Sequence, residues 1–149
     1  MLEGDRCISP GPVFDAVSAQ MAESLGFEVA FMTGPTAAAA VLGVPDHFLA
    51  LLTPTELAQQ VRRICRACTI PVVAVAEHGY GNALNVMRTV EELESAGVSA
   101  LTIDDPALPF GFGSTHGEQQ FTLGSTWEEG RERWKLCSLE ESVGKQKAA

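Results

Sequence analysis

The run "PVVAVAEHGY", residues 71 to 80, delivers a carboxylate and an imidazole to the end of an apolar stretch. Val72 to Ala76 reads as a buried strand; Glu77 and His78 follow it, and Gly79-Tyr80-Gly81 turns the chain. A second apolar run, "VSALTIDD", ends in Asp104 and Asp105, and a third, "EVAFMTG", ends in Thr33 and Gly34. Side chains alternate along a strand, so Val75 shares a face with Glu77, and Thr102 shares one with Asp104. Carboxylates that converge repel one another, and a hard cation with oxygen ligands relieves that repulsion. The chemistry this layout invites is a metal ion polarising a substrate carbonyl. Acids just past a strand also cap the next helix or simply face water. For Asp105 that second reading is preferred; for Glu77 with Asp104 both stay open.

Other polar groups are less informative. "GYGNAL" is similar to the dinucleotide fingerprint, but Leu84 stands where the third glycine belongs, so sharp turning explains its glycines better. His78 reads as an acid, a base, a substrate contact or a hydrogen-bonding structural residue. His47 and His116 have no supporting context. Cys65 and Cys68 form a C-x-x-C near a helix end, with Cys7 and Cys137 isolated. A zinc site needs a second close pair, and a redox pair belongs at a helix start, so both are read as core-side residues.

These groups need a scaffold. Phe14, Val17, Met21 and Leu25 recur at helical spacing, with Gly26 as a stop. "PTAAAAVLG" is a short helix closed by Gly43. Thr53, Pro54 and Glu56 form a helix start, and Leu57, Val61, Ile64 and Cys68 mark its buried face. "NVMRTVEELESAG" carries Val86, Val90 and Leu93 on one side, with Gly97 past its end. From residue 28 the order is therefore strand, helix, strand, helix, strand, which predicts a parallel α/β sheet with function at the carboxyl ends of its strands. An earlier strand near "CISPGPV" is a weak candidate because prolines interrupt it. Residues 106–136 lack periodicity and read as a loop or lid-like insertion, with Trp127 and Trp134 packing it onto the body. Ser138 and Glu141 then open a last helix.

The 149 residues suit one domain, 46% hydrophobic, with a formal charge of −9. An acidic surface without Lys/Arg runs argues against nucleic acid as a partner. No stretch reaches the length of a membrane helix and the N-terminal residues lack a signal-peptide core, so no membrane role and a cytoplasmic location are expected.

Four segments carry a resemblance: "VFDAVSAQMAESLGFEVAFMTG", "GVPDHFLALLTPTELAQQVRRI", "IPVVAVAEHGYGNALNVMRTVEELESAGVSALTIDD" and "LEESVGK". With them the chain resembles the isocitrate lyase and phosphoenolpyruvate mutase superfamily, on its oxaloacetate decarboxylase and carboxyphosphonoenolpyruvate phosphonomutase-like branch. The resemblance implies the first half of a TIM-type (β/α)8 barrel, about four parallel strands with intervening helices. It also implies Mg2+, with Mn2+ as an alternative, and a small 2-oxo acid or dicarboxylate substrate cleaved at a C–C bond through a pyruvate enolate. Thr33, Gly34 and Asp46 then match substrate-binding positions; Asp46, Glu77 and Asp104 match the metal site; His78 and Tyr80 belong to the catalytic turn.

Three departures stand against full activity. Val75 replaces the leading aspartate of the family's D-x-D. Glu77 and Asp104 exchange the usual side-chain lengths. The match stops after about four βα units, whereas a barrel takes ~250 residues. Two open sheet edges invite pairing, so a homo-oligomer is expected. The alternative function is a non-catalytic homologue that self-associates or binds a full-length relative.

Overall fold

A computed structural model describes residues 6–43, 51–107 and 136–149. Its elements, in order, are β1 (Gly11–Pro12), α1 (Ala16–Ser24), β2 (Ala30–Met32), α2 (Gly34–Leu42), α3 (Pro54–Cys65), β3 (Val72–Val75), α4 (Ala83–Ala96), β4 (Ala100–Thr102) and α5 (Leu139–Ala148). The strands form one parallel sheet in the order β1-β2-β3-β4, each pairing with its neighbours in sequence. Right-handed crossovers between strands added in one direction place every connecting helix on the same face. That is the winding of a barrel segment. A doubly wound sheet reverses its strand order.

Burial follows from this winding. Ala30, Met32, Val72, Ala74 and Ala76 point toward the helices and are essentially inaccessible. There they meet Leu57, Val61 and Ile64 of α3, Leu93 and Ala96 of α4, and Ala19 and Ala22 of α1. The opposite face carries Phe31, Val73 and Val75, in register with Pro12, Ala100 and Thr102. No described element covers it: the first three are half-buried and the last three exposed. β4 is thus only partly the buried strand its composition predicts, because it has helices on one side alone.

The helix starts explain themselves locally. Thr53 and Glu56 form a reciprocal capping box with Pro54 in the first turn. Asn82 and Asn85 do the same for α4, and Asp15 with Ser18 for α1. Gly43 and Gly97 close α2 and α4 in the left-handed conformation. α3 ends at Cys65, one turn before the expected Cys68. α1 forms where periodicity places it, but with a different inner face. Ala19 and Ala22 pack inward, while Phe14, Val17, Met21 and Leu25 are 44–74% exposed. Small residues let α1 approach the sheet closely, and the larger apolar stripe is left outside.

Residues 108–135 lie outside the described residues, as do Trp127, Trp134 and His116. The segment's flanks meet: Pro106 and Leu136 form an antiparallel bridge, and the Cys137 amide donates to the Asp105 carbonyl at 2.9 Å.

Candidate active site

The carboxyl ends of β2, β3 and β4 meet at one rim of the open face. Thr33, just past β2, caps α2: its Oγ1 accepts from the Thr36 amide at 3.4 Å and is hydrogen-bonded to the Thr36 hydroxyl at 2.9 Å. Gly34 begins the helix and is buried. Across from it lies Glu77, two residues beyond β3. A Cβ placed on Gly34 would stand 1.4 Å from Glu77 Oε1, so the carboxylate occupies the space any side chain there would fill. The position also suits its charge. The first turn of a helix presents unpaired amides and a partial positive charge, which favours an anion by roughly 0.3–1 kcal/mol.

Glu77 arrives there through an unusual backbone. Its φ is +50°, and Tyr80 has φ +63°, with Gly79 between them at +76°. Left-handed residues other than glycine cost about 1–2 kcal/mol each. Gly79 is also sterically required, since a Cβ would meet Val86 Cγ2 at 2.4 Å. The turn is fastened by donors. The Gly79 amide donates to Ala76 O at 3.0 Å, the Asp104 amide to Glu77 O at 2.7 Å, Lys145 Nζ to His78 O at 3.4 Å, and Thr89 Oγ1 to Gly79 O at 3.3 Å.

His78 is half-buried beside Tyr80, the two rings edge to face with centroids 5.5 Å apart. The Tyr80 amide donates to His78 Nδ1 at 2.9 Å, so that nitrogen is an acceptor and the ring proton sits on Nε2. Burial first, and the Lys145 charge second, hold the imidazole pKa below its ordinary value. His78 is thus a neutral Nε2–H donor at neutral pH, with its basic nitrogen already engaged. Asp104 keeps much of its surface in water, yet its carboxyl is partly desolvated. That desolvation, and then the neighbouring Asp105, raise its pKa.

Of the sequence-derived site residues, Thr33, Gly34, Glu77, His78, Tyr80 and Asp104 come together at this rim. Asp46 lies outside the described residues. Val75 stands on the open face, two residues before Glu77 and opposite Thr102 in the register. Among the described residues no three His, Cys, Asp or Glu side chains gather into a metal-holding group. The carboxylates that would serve are two, and one of them is turned onto Gly34. The described residues therefore fall short of a Mg2+ site. Reasoning from sequence did not single out Lys145, whose only signal is a lysine on a short terminal helix, nor Asn82 and Thr89, which fasten the turn and the helix behind it. Cys65 and Cys68 are half-buried against the core, and burial raises both thiol pKa values, as inert packing residues require.

A parallel sheet wound in one direction, with polar and acidic groups at consecutive carboxyl ends, is the layout of a barrel enzyme. The sequence profile of the family described as phosphoenolpyruvate phosphomutase matches residues 6–145, and the chain belongs to that family. An oxaloacetate decarboxylase of Bradyrhizobium sp. strain BTAi1 is 50% identical over 149 residues, which is all of this chain and 45% of the relative. Among solved structures, oxaloacetate acetylhydrolase with the inhibitor 3,3-difluorooxalacetate superposes with a TM-score of 0.76 at 28% identity, over 98% of this chain and 44% of that one. A 2,3-dimethylmalate lyase of the PEP mutase/isocitrate lyase superfamily gives 0.74 at 28% identity, over 97% and 43%. Phosphonopyruvate hydrolase in complex with oxalate and Mg2+ gives 0.72 at 26% identity, over 97% and 42%. The chain thus spans a little under half the length of these relatives. Its four strands and their helices are α/β elements of a TIM-barrel superfamily.

Proposed function

We propose that this chain carries the carboxylate-binding half of a Mg2+-dependent lyase site for a small 2-oxo acid, with oxaloacetate the first substrate to test. The observation that carries the reading is the meeting of Glu77 with Gly34 at the start of α2. It joins an acid to an anion-favouring helix start on the rim where parallel-barrel enzymes work. A carboxylate group of the substrate suits the Thr33–Gly34 end of α2. His78 Nε2–H suits hydrogen-bond donation to a carbonyl or carboxylate oxygen. Val75 and Phe31 supply an apolar wall.

The reading has a cost built into it. A substrate carboxylate at Gly34 meets the Glu77 carboxylate there, and two anions at one helix start repel. Either a cation lies between them or Glu77 swings away. The described residues do not supply a ligand set for Mg2+, so metal dependence is tested separately. Pyruvate formation from oxaloacetate is measured with and without Mg2+, against the rate of the metal alone. A protein-dependent rate above that background is expected, and a rate equal to it overturns the reading. Calorimetry with Mg2+ and Mn2+ then separates the two ways of relieving the repulsion: heat of binding indicates a cation, and none indicates movement of Glu77.

A second reading rests on Val75 and on the half-buried apolar face of Phe31, Val73 and Val75, which no described element covers. In it the chain is a non-catalytic homologue that self-associates, or pairs with a full-length relative, through that face and the β1 and β4 edges. Light scattering distinguishes it, since a strict monomer at high concentration removes the self-association. Val75→Asp should create Mg2+ affinity if the rest of the site is intact.

A further inference from the structure

α5 places its side chains in an unexpected way. Leu139 is 80% exposed and Val143 42%, while Lys145 on the same helix is 2% exposed. Lys145 is the only charged side chain among the described residues to be fully buried. A helix that leaves leucine in water and turns a lysine inward is not placed by apolar burial alone. Burying an ammonium is costly unless acceptors receive it. The acceptors here are few. Lys145 Nζ donates to the His78 carbonyl at 3.4 Å, across 67 residues of sequence, and stands 3.9 Å from Glu141 Oε1, an exposed carboxylate one turn earlier. The ammonium is thus directed at the backbone of the turn that follows β3.

That turn needs holding. Glu77 and Tyr80 are both left-handed without being glycine. Of the four successive carbonyls from Ala76 to Gly79, the first is bonded within the turn. The other three are held from outside it: Glu77 O by the Asp104 amide beyond β4, His78 O by Lys145 of α5, and Gly79 O by Thr89 of α4. The His78 carbonyl lies at the middle of the strained run, and among the described residues Lys145 is its donor from α5.

We infer that Lys145 is the positioning residue of the site: its ammonium, more than its aliphatic stem, holds the His78 carbonyl and so the left-handed course of residues 77–81 that lays Glu77 on Gly34. The inference rests on reading this turn as the rim of the proposed site. It adds that the rim is set from α5, 67 residues further along the sequence than His78.

Lys145→Met keeps the stem and removes the charge, and Lys145→Arg keeps a charge. Amide hydrogen exchange by NMR reports the turn through Gly79 and Asp104, whose amides bond Ala76 O and Glu77 O. The Ala30 amide, bonded to Pro71 O, serves as the reference in the body of the sheet. In Lys145→Met the Gly79 and Asp104 amides should exchange at least tenfold faster than in wild type, with Ala30 unchanged, and Lys145→Arg should recover most of the protection. Exchange within twofold of wild type in a folded Lys145→Met overturns the inference. So does equal deprotection by both variants, which is what lost packing predicts. If Lys145→Met does not fold, the wild-type protein decides. A buried, bonded ammonium gives a slowly exchanging 15N-lysine NH3+ signal coupled to the His78 carbonyl carbon, and its absence overturns the inference. None of these readouts uses substrate. A wild-type chain that fails to decarboxylate oxaloacetate but shows the exchange pattern loses the proposed function and keeps the positioning role.

Discussion

A side chain at position 34 has nowhere to go while Glu77 lies where it does. Gly34→Ala should therefore push the flexible Glu77 carboxylate off the helix start without unfolding the protein. Stability by urea denaturation should change by less than ~1 kcal/mol, because alanine is the better helix former and the clash is with a movable side-chain end. Binding of oxalate or oxaloacetate at the rim should change markedly in the same variant. Two of the shifted titrating groups, His78 and Asp104, respond to pH in opposite directions. His78 has its pKa lowered, so in the usual imidazole range the unfolded chain binds more protons than the folded one. Stability should fall as pH drops through that range, and His78→Asn should flatten the fall. Asp104 has its pKa raised, so the folded chain holds the extra proton just above the usual carboxylate range. Its ionisation opposes folding once pH has risen past that window. Asp104→Asn should be more stable than wild type at pH 7, and the difference should vanish in acid. Denaturation midpoints measured across pH check both signs.

At the scale of elements, local signals and tertiary signals separate cleanly. The start of α3 was legible because Thr53 and Glu56 satisfy each other's backbone amides and Pro54 fits the first helical position wherever this pattern occurs, and the structure shows that capping box. Thr53→Ala should cost about 1 kcal/mol, read from the urea midpoint. The place of Val75 on the open face was equally legible, since it needs only the period of a strand, whereas the course of Glu77 was hidden, because β3 ends at Val75 and Glu77 is left-handed. Orientation of α1 was hidden too. Its apolar stripe of Phe14, Val17, Met21 and Leu25 fits the helical period, but the inner face is chosen by how closely the helix can approach the sheet, and Ala19 with Ala22 decides that. The two-residue β1 was faint in sequence for a related reason. Gly11 pairs with Ala30 only because Phe27 and Ala22 close around a residue without a side chain. The placing of Thr33, Glu77 and Asp104 at consecutive strand ends was legible because strand ends can be located from apolar runs. Lys145 was not, because a bond across 67 residues leaves no periodic trace.

Among the described residues the sheet is clothed on one side. Phe31, Val73 and Val75 form a contiguous apolar strip on the other, which suits contact with further protein far better than contact with water. Under the self-associating reading, Val73→Asp should shift the protein toward monomer in light scattering while leaving its far-ultraviolet circular dichroism unchanged. The Pro106–Leu136 bridge has a different kind of consequence. Where two chain ends are already hydrogen-bonded to each other, the length of what joins them matters little to the body, because closure entropy grows only logarithmically, by about 0.6 kcal/mol per doubling. The described residues on either side of that bridge therefore form a socket whose closure does not depend on the length of chain between them. Replacing residues 108–135 with a short Gly-Ser linker should leave the unfolding free energy of the remaining protein, measured by urea denaturation, within ~1 kcal/mol of wild type. The socket is then a place where one lineage can trade one attachment for another without renegotiating its core.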